Sequence, residues 1–158
     1  MSRHPIPRRR AARLAAVQAL YQVEAGAQDP DEVVREFRAH RLARLLEPFV
    51  PDLPSPRVDR AWFEHLVCGA WRRRQELDAL IAEALAADWS LERCGYLLRA
   101  CLRAGAFELV ACPDVPTGVV IDEYIEIAKL FFSGDEPRFV NAVLDRIARR
   151  VRAKEETR

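Results

Sequence analysis

Residues 91–110, LERCGYLLRACLRAGAFELV, form the stretch on which the architecture of this 158-residue chain depends. Its apolar residues recur at helical spacing, and Ser90 before it is a suitable N-terminal cap. The stretch has two apolar faces: one holds Leu91, Cys94, Leu98, Cys101, Leu102, Gly105 and Leu109, and the opposite one holds Tyr96, Ala100 and Phe107, with Arg103 between them. A helix that is apolar all round normally lies at the centre of a core. We therefore expect the other elements to surround this helix; the alternative is that its second face docks a partner protein.

The rest of the chain is also predicted to be helical. Ten prolines separate long proline-free runs with helical periodicity, and no run of alternating apolar residues indicates a strand. We predict an all-α protein with about seven helices. Besides the central one, these cover residues 8–25, 31–46, 117–132 and 137–152, with two helices or one bent helix between Pro56 and Ala87. In that last region one predicted inward face holds Val58, Trp62, His65 and Gly69, and a later one holds Leu77, Ile81, Ala84 and Leu85.

The proline-rich residues 47–56 divide the predicted fold into two parts. We expect one domain over residues 1–158, with an N-terminal helical subdomain at about 8–50 and a C-terminal helical bundle at about 56–152. No apolar run approaches the roughly 20 residues of a membrane span. Four cysteines without a CxxC pair are typical of a reduced compartment. These features predict a cytoplasmic protein with no membrane contact.

Positive charge is concentrated at the start of the chain. Residues 1–23 contain five arginines and no acid, so the remainder holds 20 basic residues against 24 acidic ones. A one-ended distribution of this kind usually marks contact with a polyanion, and nucleic acid is the commonest candidate.

The sequence contains no recognisable enzyme site. There is no Gly-rich phosphate loop, no Ser/His/Asp set and no paired metal-ligand spacing. The densest carboxylates, Asp122, Glu123 and Glu126, are predicted to lie on a solvated helix face. His65 and Cys68 are one helical turn apart but lack a second matched pair of zinc ligands, and His65 is predicted to be a buried structural histidine. We therefore predict a protein that is not an enzyme and has no cofactor and no metal.

Two arginine-bearing elements support nucleic-acid binding. In the first, Arg8, Arg9 and Arg10 point in three directions from a helix and are predicted to contact phosphates. Arg13 falls on the same side as Val17 and Leu20, near the edge of the core, so its role is expected to be partly structural.

The second element contains an aromatic residue. Phe139 lies about 110° from the centre of the inward stripe of its helix and shares a flank with Ala142, Arg146 and Arg150. An aromatic ring beside arginines suits the stacking of unpaired bases. The alternative is that Phe139 packs under the preceding loop as a hydrophobic staple. The periodicity favours neither.

Several motifs then resemble one family over nearly the whole chain. They are RRRAAR at 8–13, AVQALY at 16–21, LRACLRAGAFEL at 98–109, VIDEY at 120–124, Phe131, and above all PRFVNAVLD at 137–145. Together they resemble the NusB transcription antitermination factor family. The resemblance implies an all-helical fold in two subdomains and an RNA-binding factor that pairs with the ribosomal protein NusE. It also implies that the pair binds the single-stranded boxA element of nascent transcripts, so that RNA polymerase reads through terminators during ribosomal RNA synthesis.

The resemblance also implies roles for individual residues. The RNA contacts would be Arg8, Arg9, Arg10 and Arg13, with Phe139 stacking on bases and Tyr21 and Arg138 near the same surface. We add Arg146 and Arg150 from the flank of Phe139. NusE would bind the central helix around Leu98, Arg99 and Arg103.

The chain departs from the family pattern at Gly118, where many members have a basic residue, and at Ala142, which replaces the more usual glycine. Two other functions are considered. One is a stand-alone relative of the NusB-like domain of ribosomal RNA cytosine methyltransferases, and the other is a helical adaptor that does not bind RNA. The oligomeric state is left open, with a homodimer as one option.

Overall fold

A computed structural model describes residues 7–49 and 57–152, which form seven α-helices and no strand. The helices are α1 (Arg8–Ala25), α2 (Pro30–Glu36), α3 (Arg60–Arg72), α4 (Arg74–Ala84), α5 (Gly95–Ala111), α6 (Thr117–Phe131) and α7 (Glu136–Val151). The predicted all-α fold is confirmed. None of these helices is long and apolar enough to cross a membrane. The start predicted at Pro56 for the next helical region lies outside the described residues, and the division into two subdomains stays a prediction.

Helix α5 is the centre of the fold. It packs against α1, α3, α4, α6 and α7, and every residue from Ala100 to Leu109 is buried. Two glycines permit close packing around it. A Cβ at Gly105 would lie 2.8 Å from the Leu144 side chain, and one at Gly69 would lie 2.4 Å from the Phe107 ring. The prediction of a central helix is confirmed for this buried stretch, whereas Tyr96 in its first turn is exposed.

The predicted start of that helix is wrong. Residues Leu91–Cys94 form a short 3-10 turn, and Ser90 makes no capping hydrogen bond through its side chain. The α-helix begins only at Gly95, whose φ of 78° lies in a region that glycine enters without a steric penalty because it has no Cβ. The apolar periodicity continues from the 3-10 turn into the α-helix, so the sequence pattern could not show where the α-helix begins.

The region after α1 is helical but irregular. Asp29 caps α2 by accepting a hydrogen bond from the Asp31 N–H (2.8 Å), and Pro30 occupies the first turn. After Glu36 the chain continues as a π-helical turn, Phe37–Arg41, and a 3-10 turn, Leu42–Arg44. The single helix predicted for 31–46 is therefore three shorter segments.

Helix α3 turns a different face to the core from the one predicted. Its buried residues are Phe63, Leu66, Val67 and Ala70. His65 is exposed rather than buried, with its ring 5.2 Å from that of Phe107. The prediction was wrong because it counted the helical period from Val58, which lies before the helix begins. That count selected residues on the side of α3 instead of those that face the core. Of the inward residues predicted for the region of α4, Leu77, Ile81 and Ala84 are buried, whereas Leu85 follows the helix and is half-buried.

The C-terminal helices α6 and α7 pack against each other and on α5. Just after α7, the buried Arg152 donates hydrogen bonds to the carbonyl oxygens of Glu108, Leu109, Cys112 and Val115, at 2.6 to 3.1 Å. Because the last carbonyls of a helix have no partner within the helix, Arg152 completes the C-terminal end of α5.

Candidate nucleic-acid interface

Arg8, Arg9 and Arg10 begin α1, and all three residues are exposed, as expected. Since α1 starts at Arg8, consecutive side chains diverge by about 100° and meet different neighbours. The Arg9 guanidinium lies 4.1 Å from the centre of the Trp62 ring, and its Nε is 3.8 Å from a carboxylate oxygen of Asp59. The ring therefore supports Arg9 without removing it from the surface.

Arg8 lines a basic cleft that the sequence did not reveal. The cleft has a volume of about 300 Å³, and its other described lining residues are Leu42, Ala43, Arg57, Val58 and Arg60. Three arginines thus meet there, and no acidic side chain is among these lining residues. Arg57 and Arg60 were missed because they lie some fifty residues after Arg8. They come close because the Asp59 N–H donates to the Arg8 carbonyl oxygen (3.2 Å).

Arg10 is held by an acid of α6. Its Nε donates to Glu123 at 2.7 Å, and this hydrogen bond raises the pKa of the guanidinium above its usual value. The arginine side chain is still 44% exposed. Glu123 was predicted to be solvated along with Asp122 and Glu126, but it is half-buried and paired, whereas the other two are exposed.

Arg13 is not on this surface. Its Nε and Nη2 donate to the two carboxylate oxygens of Glu108 at 2.8 and 2.9 Å, and neither side chain is more than 4% exposed. Tyr124 also donates to Glu108 through its hydroxyl group. Burial lowers the pKa of Arg13, but Glu108 more than offsets it, so the net pKa is raised. The predicted phosphate contact is therefore corrected to an ion pair in the core.

Phe139 lies beside Trp89, a residue that the sequence did not indicate as part of the site. Its ring is half-buried, packs against the core and has its centre 5.5 Å from that of Trp89. Trp89 is 43% exposed, and Arg138 is exposed next to Phe139. No periodic pattern connects Trp89 with Phe139, because they are fifty residues apart and one of them is in a loop.

Arg146 and Arg150 reach from α7 to the end of α4. Arg146 donates to the Ala84 carbonyl oxygen at 2.7 Å, and Arg150 pairs with Glu83 at 3.0 Å. The flank that carries Phe139, Arg146 and Arg150 therefore lies along the end of α4 and the loop after it. Both arginines are exposed, and their contact with RNA stays a prediction. Among the described residues, no hydrogen bond or ion pair joins this region to Arg8, Arg9 or Arg10.

The residues expected to bind a partner protein are mostly internal. Leu98 is buried, and so is Arg103, which donates to Asp78 (2.7 and 2.9 Å) and to Glu24 (2.8 Å). Arg99 shares Glu24 at 2.9 Å and keeps only a small accessible surface. Arg103 is therefore corrected from a partner contact to a core residue that connects α1, α4 and α5. Leu98 is mostly buried but lines the cleft described next.

An apolar cleft lies next to these residues. Tyr21 and Tyr96, which are 43% and 48% exposed, line it together with Phe49, Phe131 and Phe132. Tyr21, which the family resemblance places near the RNA surface, therefore lines this cleft. Exposed aromatic residues clustered in one cleft are typical of protein interfaces.

The pair considered for zinc does not converge. His65 Nε2 lies 3.9 Å from Cys112 Sγ, whereas Cys68 Sγ lies 4.0 Å from a carboxylate oxygen of Asp31. In the described part of the chain, no three His, Cys, Asp or Glu side chains gather as metal ligands would.

Comparison with known proteins gives consistent results. The model of the NusB family matches residues 10–149. The transcription antitermination protein NusB of Sinorhizobium fredii is 50% identical over 148 residues, which cover 92% of this chain and 89% of that protein. The structure of T. maritima NusB superposes with a TM-score of 0.75 at 31% identity, covering 98% of this chain and 99% of that one.

A second structural relative is part of a complex. It comes from the crystal structure of antitermination factors NusB and NusE with double-stranded RNA, and it superposes with a TM-score of 0.70 at 26% identity, covering 89% of this chain and 96% of that one. The family model and the half-identical relative both cover most of the chain. The order of the helices and the arginine-rich start of α1 are consistent with this match. This chain belongs to the NusB family.

Proposed function

We propose that this protein binds single-stranded boxA-type RNA of nascent ribosomal RNA transcripts together with NusE. In the RNA polymerase antitermination complex, the bound pair promotes read-through of terminators. The observation that carries the proposal is the exposed arginine group at the start of α1, formed by Arg8, Arg9 and Arg10, in a chain of the NusB family. A solved relative in complex with NusE and RNA supports the choice of partners.

The arginine group suits a phosphate backbone. A guanidinium presents a planar fork of donors that binds two phosphate oxygens at once and stays charged at any physiological pH. The cleft beside Arg8 adds Arg57 and Arg60, so the basic surface extends from α1 to the start of α3. Contacts of this kind give affinity without reading the base sequence. Contact with the bases themselves therefore requires a second region, for which Phe139 and Arg138 are proposed.

NusE is proposed to bind the cleft of Tyr21 and Tyr96, which Leu98 also lines. The buried Arg103 is not part of the proposed interface. Interfaces between proteins are enriched in aromatic residues, and Tyr21 and Tyr96 are among the largest exposed apolar side chains. Arg99 borders the cleft, where its guanidinium lies 4.8 Å from the centre of the Tyr96 ring.

A gel-shift titration tests the function directly. The protein is mixed with labelled boxA RNA or with a scrambled RNA of equal length, each with and without NusE. We expect boxA RNA to bind more tightly than the scrambled RNA and NusE to increase that difference. Equal binding of both RNAs in the presence of NusE would contradict the proposal.

The other two functions have weaker support. The relatives that match most of the chain are transcription antitermination proteins, so the chain is a member of a transcription-factor family and not an enzyme. No observation favours the methyltransferase-related alternative. A helical adaptor without RNA affinity would bind NusE in the same titration but shift neither RNA.

A further inference from the structure

We propose that Trp89 is a second base-stacking residue, which takes one unpaired base beside the base that Phe139 takes. The inference rests on the proposed RNA-binding function and deepens it, because it assigns a residue in the loop between α4 and α5 to the RNA surface. The family resemblance assigned nothing to this position.

The Trp89 ring is open to a ligand. A large part of its surface is exposed. Its ring centre lies 5.5 Å from that of Phe139, and the two ring planes are tilted by 45°. The exposed Trp89 ring and the half-buried Phe139 ring therefore lie side by side at the surface. Bases stack on aromatic side chains whatever their sequence, because every base has a π-face.

The loop holds Trp89 in a defined position. The Trp89 N–H donates to the Ala86 carbonyl oxygen at 2.9 Å, and the Arg93 N–H donates to the Ser90 carbonyl oxygen at 3.1 Å. On the other side, Arg146 ties α7, and with it Phe139, to the Ala84 carbonyl oxygen. Because both rings are already positioned, little conformational entropy is lost when a base binds. In this arrangement Arg146 is a positioning residue.

Two nearby arginines suit the phosphates that flank a stacked base. The Arg93 guanidinium lies 5.3 Å from the Trp89 ring centre and donates to the Asp88 carbonyl oxygen at 3.2 Å. Arg138 is exposed beside Phe139, and neither arginine has an ion pair among the described residues. The exposed Asp88 and Glu92 balance part of this charge. These carboxylates reduce the attraction of this place for phosphate groups.

The test is a mutant cycle between the protein and the RNA. Affinities of Trp89→Ala and of the unaltered protein, each with NusE, are measured for boxA RNA and for a series of boxA RNAs that each carry one abasic nucleotide. We expect Trp89→Ala to weaken binding of intact boxA RNA about fivefold or more, as expected for the loss of one stacked base. For one abasic RNA the same substitution should cost almost nothing, because the base it would stack on is already missing.

Two further variants separate stacking from structure. Trp89→Phe keeps an aromatic ring and should retain most of the affinity. Leu130→Ala removes a similarly exposed apolar side chain from α6 and should change nothing.

Each other outcome overturns the inference in a distinguishable way. If Trp89→Ala binds intact boxA RNA normally while removal of the α1 arginines weakens binding, Trp89 is not a contact and the proposed function is retained. If the loss of affinity is the same for every abasic RNA, Trp89 acts through the fold. If NusE affinity falls instead, Trp89 binds protein. If the unaltered protein with NusE does not bind boxA RNA, the proposed function is wrong and this inference with it.

Discussion

Arg13 and Glu108 are 95 residues apart and form a doubly hydrogen-bonded ion pair in the core, between α1 and α5. In the sequence Arg13 is part of the arginine-rich start, but in the structure its side chain is buried in the core. Tyr124 of α6 donates to the same carboxylate, so three helices meet at one buried charge.

Arg13→Ala is expected to destabilise the protein by about 3–5 kcal/mol, because it leaves the Glu108 carboxylate buried without its partner. Urea denaturation measures this change in the free energy of unfolding. The double variant Arg13→Met with Glu108→Met should be more stable than Arg13→Ala, since no buried charge remains unpaired. An Arg13→Ala protein of normal stability that has lost RNA affinity would instead make Arg13 an RNA contact.

The triple variant Arg8→Ala, Arg9→Ala, Arg10→Ala is expected to bind boxA RNA more weakly and with less dependence on salt. For a single strand, the slope of log affinity against log salt falls by about 0.7 for each phosphate that is no longer neutralised. A matched control removes the same charge elsewhere, by replacing the exposed Arg35, Arg72 and Arg149 with alanine. Equal effects of the two triple variants would show that only net charge matters.

Phe139→Ala separates the two roles left open for this residue. If Phe139 stacks on a base, RNA affinity falls about fivefold or more. The melting temperature then falls by less than about 3 °C, which corresponds to roughly 1 kcal/mol in a chain of this size. Fluorescence anisotropy and thermal unfolding measure the two quantities. A much larger fall in melting temperature with normal RNA affinity of the folded protein would support the hydrophobic staple.

Tyr96→Asp is expected to weaken NusE binding at least tenfold, because it puts a charge into an apolar cleft and removes an exposed aromatic ring. Calorimetry with purified NusE measures the affinity. Val119→Asp alters another exposed apolar residue and serves as the control. Unchanged NusE affinity in the Tyr96 variant would mean that NusE binds elsewhere.

The free energy of unfolding is expected to fall as the pH rises above about 9. Burial raises the pKa of the Cys101 thiol to about 12 from an ordinary value of 9.0. Between these values the unfolded chain releases the thiol proton and the folded chain keeps it, so stability decreases with pH. Cys101→Ala removes this contribution and should reduce the loss by about 1.4 kcal/mol per pH unit. Parallel pH profiles for the two proteins would contradict the assignment.

Much of the fold was predictable because it depends on local spacing. Proline positions and apolar periodicity located the ends of α1, α6 and α7 to within one residue, and the all-round apolarity of residues 91–110 correctly placed α5 at the centre. Errors arose where the backbone departs from α-helical geometry at Gly95, and at α3, where the predicted stripe included residues before the helix.

In the candidate site, too, the features set by local sequence were predictable and those set by packing between helices were not. The local sequence predicts a helix that begins with three exposed arginines. This prediction succeeds because charged residues in the first turn of a helix are exposed unless another element covers them. The local sequence does not reveal that Arg13 and Arg103 meet Glu108 and Asp78 in the core, that Arg146 turns to the Ala84 carbonyl, or that Trp89 lies against Phe139. A helical wheel gives the direction of a side chain about its own axis. The atoms found in that direction belong to helices 25 to 95 residues away, so their identity depends on how the helices pack.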